Sequence, residues 1–269
     1  MKPLRIPDLR QMKTRGEKIT VLTAYDFSMA RFLDRAGIDV ILVGDSAGMV
    51  VLGFDTTIPV TLDMMIHHTA AVSRGAKRAI VVGDMPFLTY HASLEDAVRN
   101  AGRFIQEGGA AAVKIEGGRP MAPVVERLTQ IGIPVVGHLG LTPQSVHALG
   151  GFRPQGRDEK AAAGLMADAK AIEEAGAAAV VLESIPAELG RQVSASLTIP
   201  TIGIGAGPYC DGQVLVSHDV FGLVDGPSPP FARQYAKLGE AMTSAAEAYI
   251  ADVRAGRFPP APSGEPKKS

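Results

Sequence analysis

The sequence predicts a (βα)₈ TIM-type barrel built as a single domain, and three observations carry that prediction. Short runs rich in Val, Ile and Ala recur along the chain without alternating apolar and polar residues. The runs are followed closely by Gly, Asp or His and then by a longer alanine-rich segment. Runs of this kind suit strands covered on both faces, as in a parallel sheet. Strand–helix alternation repeated seven or eight times over roughly 200–250 residues is the pattern of a barrel, with a doubly wound open sheet as the rival.

The strands read in order as ITVLTA (19–24), DVILVG (39–44), AIVVG (79–83), AAVKIE (111–116), IPVVGH (133–138), AAVVLES (178–184) and IPTIGIG (199–205). An eighth lies within QVLVSHDVFGLV (213–224). Among the helices, SMARFLDRAG (28–37), SLEDAVRNAGRFIQEGG (93–109) and EKAAAGLMADAKAIEEAG (159–176) each stop at a glycine, the residue that most readily takes the left-handed conformation ending a helix. Ser93 with Asp96 three residues on predicts a capped start for the second of these. The seventh connection, around residues 208–212, is too short for an ordinary helix. GFDTTIPVTL (53–62) is a longer excursion after the second strand, at the end of a barrel where loops commonly cover the active site. DGPSPPF (225–231) breaks the chain before a last amphipathic helix over 232–255. The expected organisation is a barrel domain over 1–255, followed by a Pro-rich, polar and disordered tail over 256–269.

Composition narrows the function classes. The 269 residues are 46% apolar and 20% charged with a formal net charge of −1, enough material for a large core. A near-neutral chain without basic blocks argues against nucleic acid as the partner and for a small-molecule substrate. The single cysteine, Cys210, excludes an internal disulfide and fits a cytoplasmic setting. Residues 1–18 are too polar for a signal peptide, and no apolar run is long enough to span a membrane.

In a barrel the C-terminal ends of the strands converge on one face, which carries the chemistry. Reading the ends from the second strand onward gives Asp45 and Ser46, Asp84, Lys114 and Glu116, His138, Glu183 and Ser184, and the glycines of GIGAG (203–207). Four carboxylates, a lysine and a histidine at one rim repel and desolvate one another, which a divalent cation would relieve. Oxygen ligands suit Mg²⁺, and Asp45 and Asp84, each following a glycine on adjacent strands, are the natural pair. Plainer readings stand beside these. Asp after Gly is a common turn residue, Lys114 and Glu116 share a strand face and suit a structural ion pair, and His138 could simply donate to a backbone carbonyl. Glu183 directly follows an apolar run, where an unpaired carboxylate is expensive.

Other features read as structural. His67 and His68 are adjacent on a helix, point different ways and are no metal pair. GIGAG lacks the helix and acidic residue of a dinucleotide site and reads as close backbone approach. Cys210 has no nearby base in sequence to make it a nucleophile.

The stretches VGDSAGMVVLG, GDMPF, VKIEGG, HLGLTPQSVHALGGF and GIGAGPYCDGQVLVSHD, in this order, closely resemble the ketopantoate hydroxymethyltransferases over residues 7–249. Departures are mild: Ala47 stands where leucine is common, and Phe54 where His or Tyr is expected. The resemblance implies a (βα)₈ barrel, assembled as a homodecamer, that serves pantothenate and coenzyme A biosynthesis. It implies transfer of a one-carbon unit from 5,10-methylenetetrahydrofolate to 3-methyl-2-oxobutanoate. By motif, Asp45 and Asp84 would ligate Mg²⁺, with Glu116 ligating directly or through water. Asp45, Ser46, Asp84 and Lys114 would contact the ketoacid, His138 would line its pocket, and Glu183 would be the catalytic base. The rival is a Mg²⁺-dependent C–C or C–P bond enzyme of the isocitrate lyase or phosphoenolpyruvate mutase type, against which stands the lack of a lyase-like cysteine motif around Cys210.

Overall fold

Eight parallel strands close on themselves in chain order: β1 (Ile19–Thr23), β2 (Val40–Val43), β3 (Ile80–Asp84), β4 (Ala112–Glu116), β5 (Val135–Gly140), β6 (Ala179–Glu183), β7 (Thr201–Ile204) and β8 (Gly212–Leu215). The ring closes where β1 pairs with β8, Val21 opposite Val214. The structure is a computed structural model that describes residues 2–226 and 229–260. By internal contacts the chain falls into two compact units, Met1–Ser217 and His218–Ser269, and all eight strands belong to the first.

The helices of the first unit are α1 (Ile6–Arg15), α2 (Phe27–Ala36), α3 (Ala47–Val50), α4 (Leu62–Gly75), α5 (Leu94–Gln106), α6 (Ala122–Gln130), α7 (Val146–Leu149), α8 (Glu159–Glu174) and α9 (Ala187–Ser196). Their ends follow local chemistry. Gly37 closes α2 with a left-handed φ of 91°, and Ser93 caps α5 by accepting from the backbone N–H of Asp96. No helix separates β7 from β8, as the short connection predicts. α10 (Ser217–Phe221) follows β8, and the second unit contains α11 (Leu238–Arg254), none of whose side chains is buried. Residues 261–269 of the expected disordered tail lie outside the described residues.

The sequence reading names no helix before β1, yet α1 contributes to the core. Leu9 and Met12 pack in one cluster with the strand residues Val21, Val40, Val82, Val136, Val181, Ile202 and Val214. The other side chains of α1 are largely polar and only these two are buried, so the helix shows little of the apolar periodicity that flags a core element. Its cation Lys13 also ties it to the barrel, donating to the carbonyls of Ser194 and Ile199 and pairing with Asp211 at 2.9 Å. Above this layer, Lys114 joins Val82, Val136 and Val181 in lining a small apolar void.

Candidate active site

Strand register brings the rim residues together. Asp84 on β3 stands opposite Lys114 on β4, Glu116 opposite His138 on β5, and Gly140 opposite Glu183 on β6. Alternation along a strand sends every second side chain inward, so Lys114 and Glu116 emerge on the same side. Nζ of Lys114 sits 2.9 Å from Oδ1 of Asp84 and 3.5 Å from Oε1 of Glu116, all three side chains being almost fully buried. The backbone N–H of Asp45 donates to Oδ2 of Asp84 at 3.0 Å, joining the ends of β2 and β3.

The glycine before each aspartate serves a different purpose in each case. A Cβ on Gly44 would lie 2.7 Å from Oγ of Ser46, so this glycine makes room for the hydroxyl at the start of α3. A Cβ on Gly83 would lie 2.3 Å from the Phe104 ring, so that glycine lets α5 pack onto β3. The repeated Gly-Asp pair thus marks one shared destination reached under two packing constraints. Ser46 itself is half-buried and its Oγ lies 2.9 Å from the Tyr25 hydroxyl.

His138 links the cluster to Glu183. Its Nδ1 lies 3.3 Å from Oε1 of Glu116, and its Nε2 lies 3.1 Å from Oε2 of Glu183. Both carboxylates call for a proton on the nitrogen that faces them. Burial and Lys114, whose Nζ is 3.2 Å from Nδ1, oppose that charge, but the two carboxylates prevail and push the imidazole up to about 9. Nζ of Lys114 and Oε1 of Glu116 thus face the same ring nitrogen of His138.

The other titrations follow from burial and charge. Burial first, then the neighbouring Asp84 and Glu116, drive the Asp45 carboxyl well above its ordinary value, with Lys114 only partly offsetting them. Burial also raises Asp84 against the pull of Lys114. Burial would raise Glu116 too, but Lys114 and His138 outweigh it and hold the carboxyl low. Burial would lower Lys114, and the carboxylates of Asp84, Glu116 and Asp45 raise it instead.

With all four carboxylates ionised, Asp45, Asp84, Glu116 and Glu183 against the Lys114 ammonium and the protonated His138 would leave a formal charge of −2 at the rim. That charge matches a divalent cation, and the donors are hard oxygens of the kind Mg²⁺ takes. Oδ1 of Asp84 and Oε1 of Glu116 are buried and make no aligned hydrogen bond, although both lie near the Lys114 charge. Among the described residues, no group of three His, Cys, Asp or Glu side chains converges closely enough to hold an ion jointly. Asp45 and Asp84, with Glu116 directly or through water, are the residues that would hold such an ion.

All seven expected residues fall in one continuous constellation at the C-terminal end of the barrel. Three further residues join it. Tyr25 follows β1, whose end lies outside the rim list drawn from the second strand onward. Tyr90 and Gln144 are buried, and Gln144 hydrogen-bonds to both Tyr90 and Asp45. Neither carries charge, so nothing in their side chains sets them apart in sequence. The one available signal was the placement of Gln144 in LTPQS, directly after the fifth strand. Nδ1 of His68 lies 2.7 Å from the Tyr25 carbonyl oxygen, at the margin of the site and away from its carboxylates. Cys210 is buried, and burial raises its thiol. No helix among the described residues is long and apolar enough to cross a membrane.

Residues 3–261 match the family described as ketopantoate hydroxymethyltransferase. The 3-methyl-2-oxobutanoate hydroxymethyltransferase of Syntrophus aciditrophicus (strain SB) is 58% identical over 251 residues, covering 93% of this chain and 92% of that protein. The protein of the same name from Moorella thermoacetica (strain ATCC 39073 / JCM 9320) is 58% identical over 254 residues, covering 94% of each. Among solved structures, the phosphoenolpyruvate phosphomutase of Streptomyces platensis subsp. rosaceus aligns with a TM-score of 0.63 at 14% identity, over 94% of this chain and 88% of that one. A 2,3-dimethylmalate lyase of the PEP mutase/isocitrate lyase superfamily aligns at 0.59 with 21% identity, over 98% and 90%. At such identities the structural likeness establishes the fold alone.

Proposed function

The chain belongs to the ketopantoate hydroxymethyltransferase family, and we propose that it moves a hydroxymethyl unit from 5,10-methylenetetrahydrofolate to 3-methyl-2-oxobutanoate, giving 2-dehydropantoate at the first step of pantothenate biosynthesis. The observation that carries this reading is the buried cluster of Asp45, Asp84 and Glu116 around one ammonium, joined through His138 to Glu183. That is an arrangement for removing a weakly acidic proton and holding the negative charge that remains. The isocitrate lyase and phosphoenolpyruvate mutase alternative shares the fold but has no comparable support from sequence identity.

The chemistry follows from the residues. The C3–H bond of the ketoacid is weakly acidic, since the charge left on its removal must spread onto the ketone oxygen. Glu183, the least buried of the carboxylates with 14% of its side chain exposed, takes that proton as general base. The imidazole of His138, its Nε2 3.1 Å from Oε2 without an aligned hydrogen bond, positions the carboxylate by charge. Lys114 supplies a fixed positive charge beside the developing enolate oxygen, at no reorganisation cost because the surrounding carboxylates already hold it in place. Mg²⁺ held by Asp45 and Asp84, with Glu116 directly or through water, would supply Lewis-acid polarisation of the ketone and carboxylate oxygens. Ser46 stands beside Asp45 to contact the ketoacid. Opening of the folate's methylene bridge to its iminium form takes up one proton, matching the one removed from C3, and the enolate carbon forms the new C–C bond to that methylene carbon. Water then replaces the folate nitrogen on it, its oxygen becoming the hydroxyl and its proton going to the nitrogen as the C–N bond breaks and tetrahydrofolate leaves.

The single cysteine, buried and unpaired, supports a cytoplasmic enzyme. Met242, Tyr249, Ile250 and Val253 of α11 are exposed apolar side chains, which supports a homo-oligomer such as the decamer implied by the resemblance. The deciding experiment is product analysis after mixing the protein with 3-methyl-2-oxobutanoate, 5,10-methylenetetrahydrofolate and Mg²⁺. Formation of 2-dehydropantoate is the expected result, and its absence under conditions where the protein stays folded rules the reading out.

A further inference from the structure

We infer that Gln144 is a positioning residue that sorts the oxygens of Asp45 and Glu116, fixing one oxygen of each so that the other is left for the cation; this rests on the reading that the cluster binds a divalent metal. Gln144 lies in the single turn of 3₁₀ helix Pro143–Ser145 after β5 and is only 4% exposed. Every polar group it brings to the site is engaged. Its Nε2 donates to Oδ2 of Asp45 and to the carbonyl of Met85, both at 2.9 Å. Its Oε1 accepts from the Tyr90 hydroxyl at 2.7 Å, and its backbone N–H donates to Oε2 of Glu116 at 3.0 Å. Tyr90 in turn accepts from the backbone N–H of Glu116 at 3.0 Å, closing the ring.

One residue thus holds carboxylates from two non-adjacent strands. On Asp45 it takes Oδ2 and leaves Oδ1. On Glu116 it takes Oε2 and leaves Oε1, the oxygen that faces Lys114 and His138. A neutral amide suits this task better than a second lysine or arginine. It donates a hydrogen bond without adding a positive charge that would compete with the incoming cation. Its own acceptor is fixed by Tyr90, so the amide cannot flip and present oxygen to oxygen. Outer hydrogen bonds of this kind typically change metal affinity 10–100-fold.

The test uses Mn²⁺ as a paramagnetic stand-in for Mg²⁺ with the full-length protein and no substrate. Free and bound Mn²⁺ are counted by electron paramagnetic resonance, and thermal unfolding is followed in parallel. Gln144→Met keeps the volume and the backbone N–H to Glu116 but removes the side-chain amide that holds Oδ2 of Asp45, and should weaken Mn²⁺ binding about 10–100-fold. Tyr90→Phe releases Oε1 of Gln144 and should weaken binding severalfold, and it stands as the test by itself if Gln144→Met does not fold. In the double variant the two losses should be strongly non-additive, because Tyr90 acts through Gln144. Folded variants that bind Mn²⁺ as tightly as the wild type, or losses that simply add, overturn the positioning role alone. A wild-type protein that binds no Mn²⁺ overturns the metal-site reading and this inference with it.

Discussion

Nε2 of His138 lies 3.1 Å from Oε2 of Glu183, while the other ring nitrogen faces Glu116. A single imidazole therefore spans the acidic cluster and the proposed base, and the most direct predictions concern that link. With the ketoacid and Mg²⁺ but no folate, the C3 hydrogen should exchange for deuterium. Glu183→Gln should abolish the exchange and leave ketoacid binding within about twofold, whereas a variant that exchanges normally removes Glu183 as the base. His138→Gln should slow the exchange by about 100-fold, the low end of general-base contributions, since the base is then present but unoriented.

Asp84 contacts Lys114 and the Asp45 backbone at once. Asp84→Ala should therefore weaken metal and ketoacid binding together, each by at least tenfold in calorimetric titration. Unchanged affinity for both would mean that the ligand pair has been misassigned.

Lys114 places its ammonium 2.9 Å from Asp84 and 3.5 Å from Glu116. Lys114→Met leaves those acids facing one another in a buried space. The expected loss of stability is about 3–5 kcal/mol in metal-free denaturant unfolding, the usual cost of breaking a buried ion pair from one side. Millimolar Mg²⁺ should restore part of it, since a ligand bound only by the native state stabilises that state. A variant as stable as the wild type without metal would show that the cluster does not rely on Lys114 for cohesion.

Glu173 on α8 offers a test of acid stability away from the site. Burial would raise its carboxyl, but hydrogen bonds from Lys170, Thr198 and Ile199 win and pull it from an ordinary 4.5 down to about 2. A carboxyl lowered by folding adds stability above its unfolded value and loses it as pH falls through the folded one. The stabilisation should therefore be present above pH 4.5 and fade towards pH 2. Glu173→Gln should cost on the order of 1–2 kcal/mol at neutral pH and show a shallower loss between those limits. Parallel stability curves for the two proteins over that window would exclude the linkage.

Much of this molecule is written locally. Unalternating apolar runs declare strands buried on both faces, and glycines such as Gly37 declare helix ends, because these choices depend only on neighbouring backbone and side chains. The rim residues were legible for a related reason. Charge at the end of an apolar strand is expensive wherever the chain goes, so Asp45, Asp84, Lys114, Glu116, His138 and Glu183 stood out before any contact was known. What the sequence left open depends on partners far along the chain. Met12 and Leu9 become core residues only because eight strands form a ring whose floor they fill. Gly44 and Gly83 are required by Ser46 in one case and by Phe104 in the other. Gln144 gains its place through partners distant in the chain, among them Asp45, 99 residues away. A charge announces the cost of burying it in any fold, whereas a neutral amide has no role until the tertiary structure supplies the groups that complete its hydrogen bonds.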